Sequence, residues 1–217
     1  MAVTVAFVSQ KGGVGKSTLS RGLAVEAAKA GMSVKIADLD HQQGTSVEWN
    51  RRRHRTNLEL QIEVESFKTA ALALPHACRY DMFIIDGPAR TSEATLEIAR
   101  AAHLVIQPSG PSLDDLEPAI KEFHALVRAG EPRDKLVVAL NRVGTAVEER
   151  NAREYIERAG YQVWSGALRD KPGYRVAMNQ GHAVTEVKAA KLREEAETAI
   201  RSLVELILLR LPAEAAE

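Results

Sequence analysis

From Val3 to Val8 the chain is β-branched and apolar; it then enters Gln10-Lys11-Gly12-Gly13-Val14-Gly15-Lys16-Ser17-Thr18 and resumes with Leu19, Leu23 and Ala27 at helical spacing as far as Gly31. Strand, glycine-rich loop and helix in that order are the context a phosphate-binding loop demands. Gly12, Gly13, Val14 and Gly15 let successive backbone N–H groups point into one concavity, and the helix N-terminus adds its partial positive charge. Lys16 is placed to bridge β- and γ-phosphate oxygens, the Ser17 hydroxyl to ligate Mg2+, and Thr18 to reach the α-phosphate. A glycine turn that merely caps a helix would need no Gly-Lys-Ser at this position.

The same alternation continues downstream. Apolar runs at Ser33–Ala37, Met82–Ile85, His103–Gln107 and Leu136–Leu140, with a weaker alternating one at Leu58–Val64, are separated by stretches of helical period. That pattern predicts βαβ units, hence the α/β class: a mostly parallel, twisted sheet with helices on both faces. No repeat or Pro/Ser-rich linker divides the 217 residues, so one domain is expected over 1–211, with a frayed tail at 212–217. Ile200, Leu203, Val204, Ile207, Leu208 and Leu211 share one helical face and predict a C-terminal helix docked on the core.

Composition excludes several function classes. Lys plus Arg and Asp plus Glu are both 29, so no global field draws the chain to polyanions, and any nucleic-acid affinity must come from a local patch. Cys78 is the only cysteine and cannot make an internal disulfide, a zinc ribbon or an iron-sulfur cluster. The histidines lack ligand spacing. No apolar run approaches the about 18 residues of a membrane span, and no basic segment precedes an apolar one as in a signal peptide, so a cytoplasmic setting and no membrane partner are expected.

Acids stand at strand ends. Asp38-Leu39-Asp40-His41-Gln42-Gln43 closes the second strand, and Met82-Phe83-Ile84-Ile85-Asp86-Gly87-Pro88 ends an apolar strand in an acid, the Walker B arrangement in which Asp86 holds Mg2+ through water. Carboxylates at the C-terminal ends of parallel strands lie beside the phosphates, where metal and water need oxygen partners. Asn141 closes another strand where this class of NTPase reads its base; a guanine reader would want Asp three residues on, and Gly144 stands there, so ATP is favoured over GTP. Asp114, Asp115 and Glu117 read as first-turn acids complementing a helix dipole.

The loop departs from the common Walker pattern: Gln10 replaces the first glycine and a second lysine, Lys11, follows it. In this it resembles the deviant Walker A box of the ParA/MinD superfamily of dimeric P-loop ATPases. The resemblance, which extends over the switch I-like Asp38–Gln43, the switch II-like Gly87-Pro88 and the stretch Ala177–Glu186, implies several roles. Lys11 would reach across an ATP-sandwich homodimer to the partner's phosphates, Asp40 would position the attacking water, Asp38 would support the metal shell, and Asn141 would contact adenine. His41 replaces the family's proline and leaves that loop less restrained. The implied activity is Mg2+-dependent ATP hydrolysis that partitions or positions DNA or another cargo. It would run as a cycle: ATP drives dimerisation, the dimer binds nonspecific DNA on the bacterial nucleoid, and a ParB-like or cargo-adaptor protein stimulates hydrolysis.

Two basic sets are candidates for DNA contact: Arg51-Arg52-Arg53-His54-Arg55, and Arg169, Lys171, Arg175, Lys188 and Lys191. A solvated helix end would account for the first equally well. Rival readings are an ATP-using small-molecule ligase of the dethiobiotin-synthetase type and a MinD-like membrane-associated regulator. A nitrogenase-like electron donor is excluded by the single cysteine.

Overall fold

The computed structural model describes residues 3–40, 43–89 and 92–210; His41, Arg90, Leu211 and the expected tail lie outside them. The elements are β1 (Val3–Phe7), α1 (Lys16–Lys29), β2 (Val34–Asp38), α2 (Thr45–Arg55), β3 (Glu63–Ser66), α3 (Ala70–Ala73), β4 (Met82–Asp86), α4 (Ser92–Ala101), β5 (Leu104–Ser109), α5 (Leu113–Arg128), β6 (Leu136–Leu140), α6 (Ala146–Arg158), β7 (Gln162–Val163), α7 (Pro172–Asn179) and α8 (Ala190–Leu208). All seven strands are parallel, in the order β3-β2-β4-β1-β5-β6-β7.

Period-two alternation sorts the strand side chains into two cores. Val5 and Phe7 of β1, Ile36 of β2, Ile84 of β4 and Ile106 of β5 pack with α1, α7 and α8 on one face. Ala6, Ala37, Phe83, Ile85 and Val105 pack with α3, α4, α5 and α6 on the other. A sheet covered on both faces explains why its central strands read as unbroken apolar runs. β1 lies between β4 and β5, so the crevice for a ligand falls at the carboxyl ends of β1 and β4, where the chain order departs to opposite sides.

Two expectations need correction, and one strand was not foreseen. The alternating stretch from Leu58 is not strand until Glu63, because the Leu60 carbonyl accepts from Arg53 Nε at 2.7 Å instead of joining the ladder. β7, two residues long, carried no readable period. Along α8, Ile200, Leu203 and Ile207 are buried as expected, but Val204 is only half-buried and Leu208 is exposed, since the helix touches the core along a stripe narrower than its apolar face.

Candidate nucleotide and metal site

The loop after β1 adopts the backbone that its glycines permit. Gly13 and Gly15 have φ of 75° and 106°, and Gly15 caps α1 in the left-handed conformation, which L side chains rarely adopt. A Cβ at Gly15 would land on the side-chain amide of Asn141. That contact is built: Asn141 Nδ2 donates to the Val14 carbonyl at 2.8 Å, so the end of β6 braces the loop. Lys16 is buried, and its Nζ donates to the carbonyls of Ser9 (3.3 Å) and Lys11 (3.4 Å). Burial pulls its pKa below the ordinary lysine value, against the pull of Asp86, Asp40 and Glu122.

Around the loop lies a cavity of about 370 Å³, lined among others by Gly12, Gly13, Gly15, Lys16, Ser17, Thr18, Asp40, Thr45 and Gly87. Asp38 and Asp86 stand side by side, in register at the ends of β2 and β4. Asp38 Oδ2 accepts from the backbone N–H of Ser46 (2.9 Å) and Val47 (3.2 Å), and Oδ1 from that of Asp40 (3.1 Å). These bonds tie Asp38 to the first turn of α2. Asp86 Oδ2 accepts from Ser46 Oγ at 2.7 Å, whereas its Oδ1 is buried without a hydrogen-bond partner. Burial raises the Asp86 pKa, and burial together with Asp86 pushes that of Asp38 up to about 6. An orphaned carboxylate oxygen, a second carboxylate beside it, and the Ser17 hydroxyl, 2.9 Å from Thr45 Oγ1, form an all-oxygen donor set suited to a hard divalent cation. Asp40 lines the cavity and accepts from the Gln43 N–H at 3.3 Å.

The second lysine behaves differently from the first. Lys11 is exposed, does not line the cavity, and points away to the start of α5, where its Nζ donates to the Asp114 carbonyl at 3.3 Å and pairs with the Asp115 carboxylate. Asp115 is therefore more than a dipole-complementing acid.

Residues 5–184 match the model of the CobQ/CobB/MinD/ParA nucleotide binding domain. The chain belongs to this family. Among solved structures it is similar to the MinD cell division protein of Aquifex aeolicus (TM-score 0.74, 17% identity, covering 94% of this chain and 98% of that one). A McdA variant of Cyanothece in complex with ATP gives a TM-score of 0.71 at 15% identity (94% and 96% covered). A ParA family ATPase of Chlorobium tepidum gives 0.69 at 16% (93% and 99%). No curated protein matches the chain in sequence. At these identities the likeness to solved structures is one of fold, and that fold is the α/β architecture of the ParA/MinD superfamily.

Within this superfamily frame, the structure separates the basic candidates. Arg53 is fully buried: Nη1 and Nη2 donate to Glu186, Nη1 also to the Gly181 carbonyl, and its Cζ stands 5.5 Å from the centre of the Trp49 ring. It cannot contact DNA. Its neighbours differ: Arg51 and Arg55 are exposed and Arg52 half-buried. Arg169, Lys171 and Arg175 line a second cavity of about 250 Å³ together with Gly13, Gly15 and Asn141, on the β6 side of the loop. Arg169 pairs with Glu149 at 3.1 Å and Arg175 with Asp170 at 2.6 Å, and Lys171, Arg175, Lys188 and Lys191 are exposed.

Two contributors escaped the sequence. Glu122 of α5 is buried and accepts from the Gln10 N–H (3.3 Å), Gln107 Nε2 (2.8 Å) and Thr95 Oγ1 (3.2 Å), so a carboxylate braces the loop from below. Ser46 joins Asp38, Asp86 and Arg21 through its backbone and hydroxyl. The only advance signal for Ser46 was a Thr-Ser pair opening a helix after the acids.

Proposed function

We propose that the chain is a Mg2+-dependent ATPase of the partitioning and positioning type, acting as an ATP-sandwich homodimer. The observation that carries this reading is the division of labour between the two lysines of the loop. Lys16 is buried at the cavity wall and serves the bound phosphates; Lys11 stands outside its own cavity and has its charge free to serve another subunit once Asp115 releases it. Two triphosphates facing each other across a two-fold axis repel, and a lysine from each side offsets that repulsion.

In this reading Gly12, Gly13, Val14, Gly15, Lys16, Ser17 and Thr18 hold the triphosphate and Asn141 faces the adenine with its Oδ1, its Nδ2 being committed to Val14. Ser17 and Asp86 would hold Mg2+, with Asp38 fixing the loop around it; bound there, the ion neutralises charge developing on the phosphate oxygens. Asp40, at the cavity rim, orients the attacking water. Residues 1–211 act as one domain. Exposed Arg51, Arg55, Lys171, Arg175, Lys188 and Lys191 are the candidate basic residues left to meet nonspecific DNA on the nucleoid, and an adaptor protein triggers hydrolysis. Among the described residues no helix is long and apolar enough to cross a membrane.

Light scattering with a non-hydrolysable ATP analogue tests the reading. The wild type doubles its mass and then retains DNA in a salt-sensitive manner, while Lys11→Ala binds the analogue as a monomer. A wild type that stays monomeric and holds no DNA at low salt would turn the assignment towards a small-molecule ligase.

A further inference from the structure

Arg21 has no part in the reading above. It lies on α1 one turn beyond Ser17, which brings its side chain to the same helical face. The residue is 6% exposed, yet it lines the phosphate cavity with Lys16, Ser17, Thr18 and Asp40. Nε donates to Ser46 Oγ at 3.1 Å, and Cζ stands 5.5 Å from the centre of the Trp49 ring, whose own residue is fully buried. Serine and indole fix the guanidinium plane. Among the described residues Arg21 makes no other side-chain hydrogen bond, so its Nη groups are unpaired there.

A guanidinium in such a place is expensive. Burial pulls its pKa down to about 10, and Asp86 and Asp38 only partly counter this. Neither carboxylate pairs with it: three backbone N–H groups hold Asp38, and Ser46 holds one oxygen of Asp86 while the other has no hydrogen-bond partner. A planar fork of donors, desolvated and facing a cavity that also holds Lys16, is complementary to a phosphate with free equatorial oxygens. Its side of the cavity is that of Asp38, Asp86 and Ser17, where the metal and the last phosphate meet, and not that of Asn141, where the base enters.

We propose that Arg21 is a specificity-determining residue that contacts the terminal phosphate of a bound nucleoside triphosphate from within the same subunit. The inference rests on the reading of this cavity as a nucleotide site. It gives the chain a means of telling tri- from diphosphate before any partner subunit arrives. It also makes Trp49 a reporter, because the ring that supports the guanidinium senses its displacement.

Calorimetry with Mg2+ plus either ADP or a non-hydrolysable ATP analogue, on wild type, Arg21→Gln and Arg21→Lys, decides it. Loss of a charge-assisted contact to the terminal phosphate weakens the triphosphate by roughly tenfold to a hundredfold. Affinity for ADP stays within about twofold, and Arg21→Lys, keeping the charge without the fork, falls between. In a Trp164→Phe background, which leaves Trp49 as the sole tryptophan, the analogue shifts the emission more than ADP does, and Arg21→Gln abolishes the difference. If both nucleotides weaken in proportion, Arg21 only braces α2 and the inference is wrong although the nucleotide site stands. If Arg21→Gln does not fold, an unchanged triphosphate-to-diphosphate ratio in Arg21→Lys overturns it equally. A wild type that binds neither nucleotide removes the site and the inference together.

Discussion

Arg53 and Glu186 form a two-pronged ion pair between α2 and the segment after α7, with Arg53 Nη1 and Nη2 donating to Glu186 Oε2 and Oε1 at 2.6 and 2.8 Å. Trp49 Nε1, donating to the His182 carbonyl at 3.0 Å, reinforces the same junction. Removing one member leaves a buried charge uncompensated, so Arg53→Ala is expected to cost about 3–5 kcal/mol in urea denaturation. Arg51→Ala and Arg55→Ala should each change stability by less than about 0.5 kcal/mol. Burial would raise the Glu186 pKa, but Arg53 and the Ala183 N–H hold it below the ordinary carboxylate value. The pair therefore contributes fully above that ordinary value and is lost as pH falls through the depressed one. An Arg53→Ala protein as stable as wild type but poorer in DNA retention would return this residue to the surface patch.

What could be read in advance was local. Gly12 to Thr18, Asp38 and Asp86 announce themselves because the loop glycines, the helix start and the strand-ending acids are set by neighbours a few positions away. Arg53 and Glu122 do not, since their meaning depends on partners 133 and 112 positions distant, at Glu186 and Gln10. In sequence Arg53 is one of three consecutive arginines, and only the burial of one face of α2 separates it from Arg51 and Arg52. Asp115 stands in the first turn of α5 as expected, but its pairing with Lys11 was hidden for the same reason: a first-turn acid looks alike whether it faces water or a lysine from a distant loop.

Glu122 gives a pH signature. Burial raises its pKa, against the pull of the Gln10 N–H, Thr95, Lys16 and Gln107. The folded state thus binds this proton more tightly than the unfolded chain, so the contribution is largest below the ordinary carboxyl range and declines as pH rises through the raised value. Glu122→Gln cannot titrate. The stability of wild type minus that of Glu122→Gln should fall as pH rises above the ordinary carboxyl range. A difference that stays flat, or grows with pH, contradicts the burial argument.

Gly15 and Asn141 should be interdependent. Gly15→Ala meets both a φ of 106° and the Asn141 amide, so nucleotide affinity is expected to disappear while the sheet survives. Circular dichroism alongside calorimetry reads the two separately. Asn141→Ala opens space at Gly15 but removes the bond to Val14, and should weaken nucleotide binding by roughly tenfold through lost bracing. Should Asn141→Ala bind ATP as well as wild type, the loop holds its own shape and Asn141 neither braces it nor reads the base.

The pairing of Lys11 with Asp115 sets a threshold for the proposed dimer. Lys11 cannot both neutralise Asp115 of its own α5 and reach a partner's phosphates, so each subunit must break this contact before the sandwich closes. The lysine side chain is 44% exposed, which places the pair among half-solvated ion pairs worth about 0.2–1 kcal/mol. Two break per dimer. Asp115→Ala should therefore tighten analogue-dependent dimerisation by roughly twofold to thirtyfold, measured as the protein concentration at half-dimer in light scattering. The effect should shrink in high salt, because screening already weakens an exposed pair in the wild type. Asp114→Ala is the control: Lys11 bonds the Asp114 backbone carbonyl, which the substitution retains, so its threshold should match wild type. If Asp115→Ala dimerises no more readily than Asp114→Ala, the contact exerts no restraint and the charge of Lys11 is free from the outset.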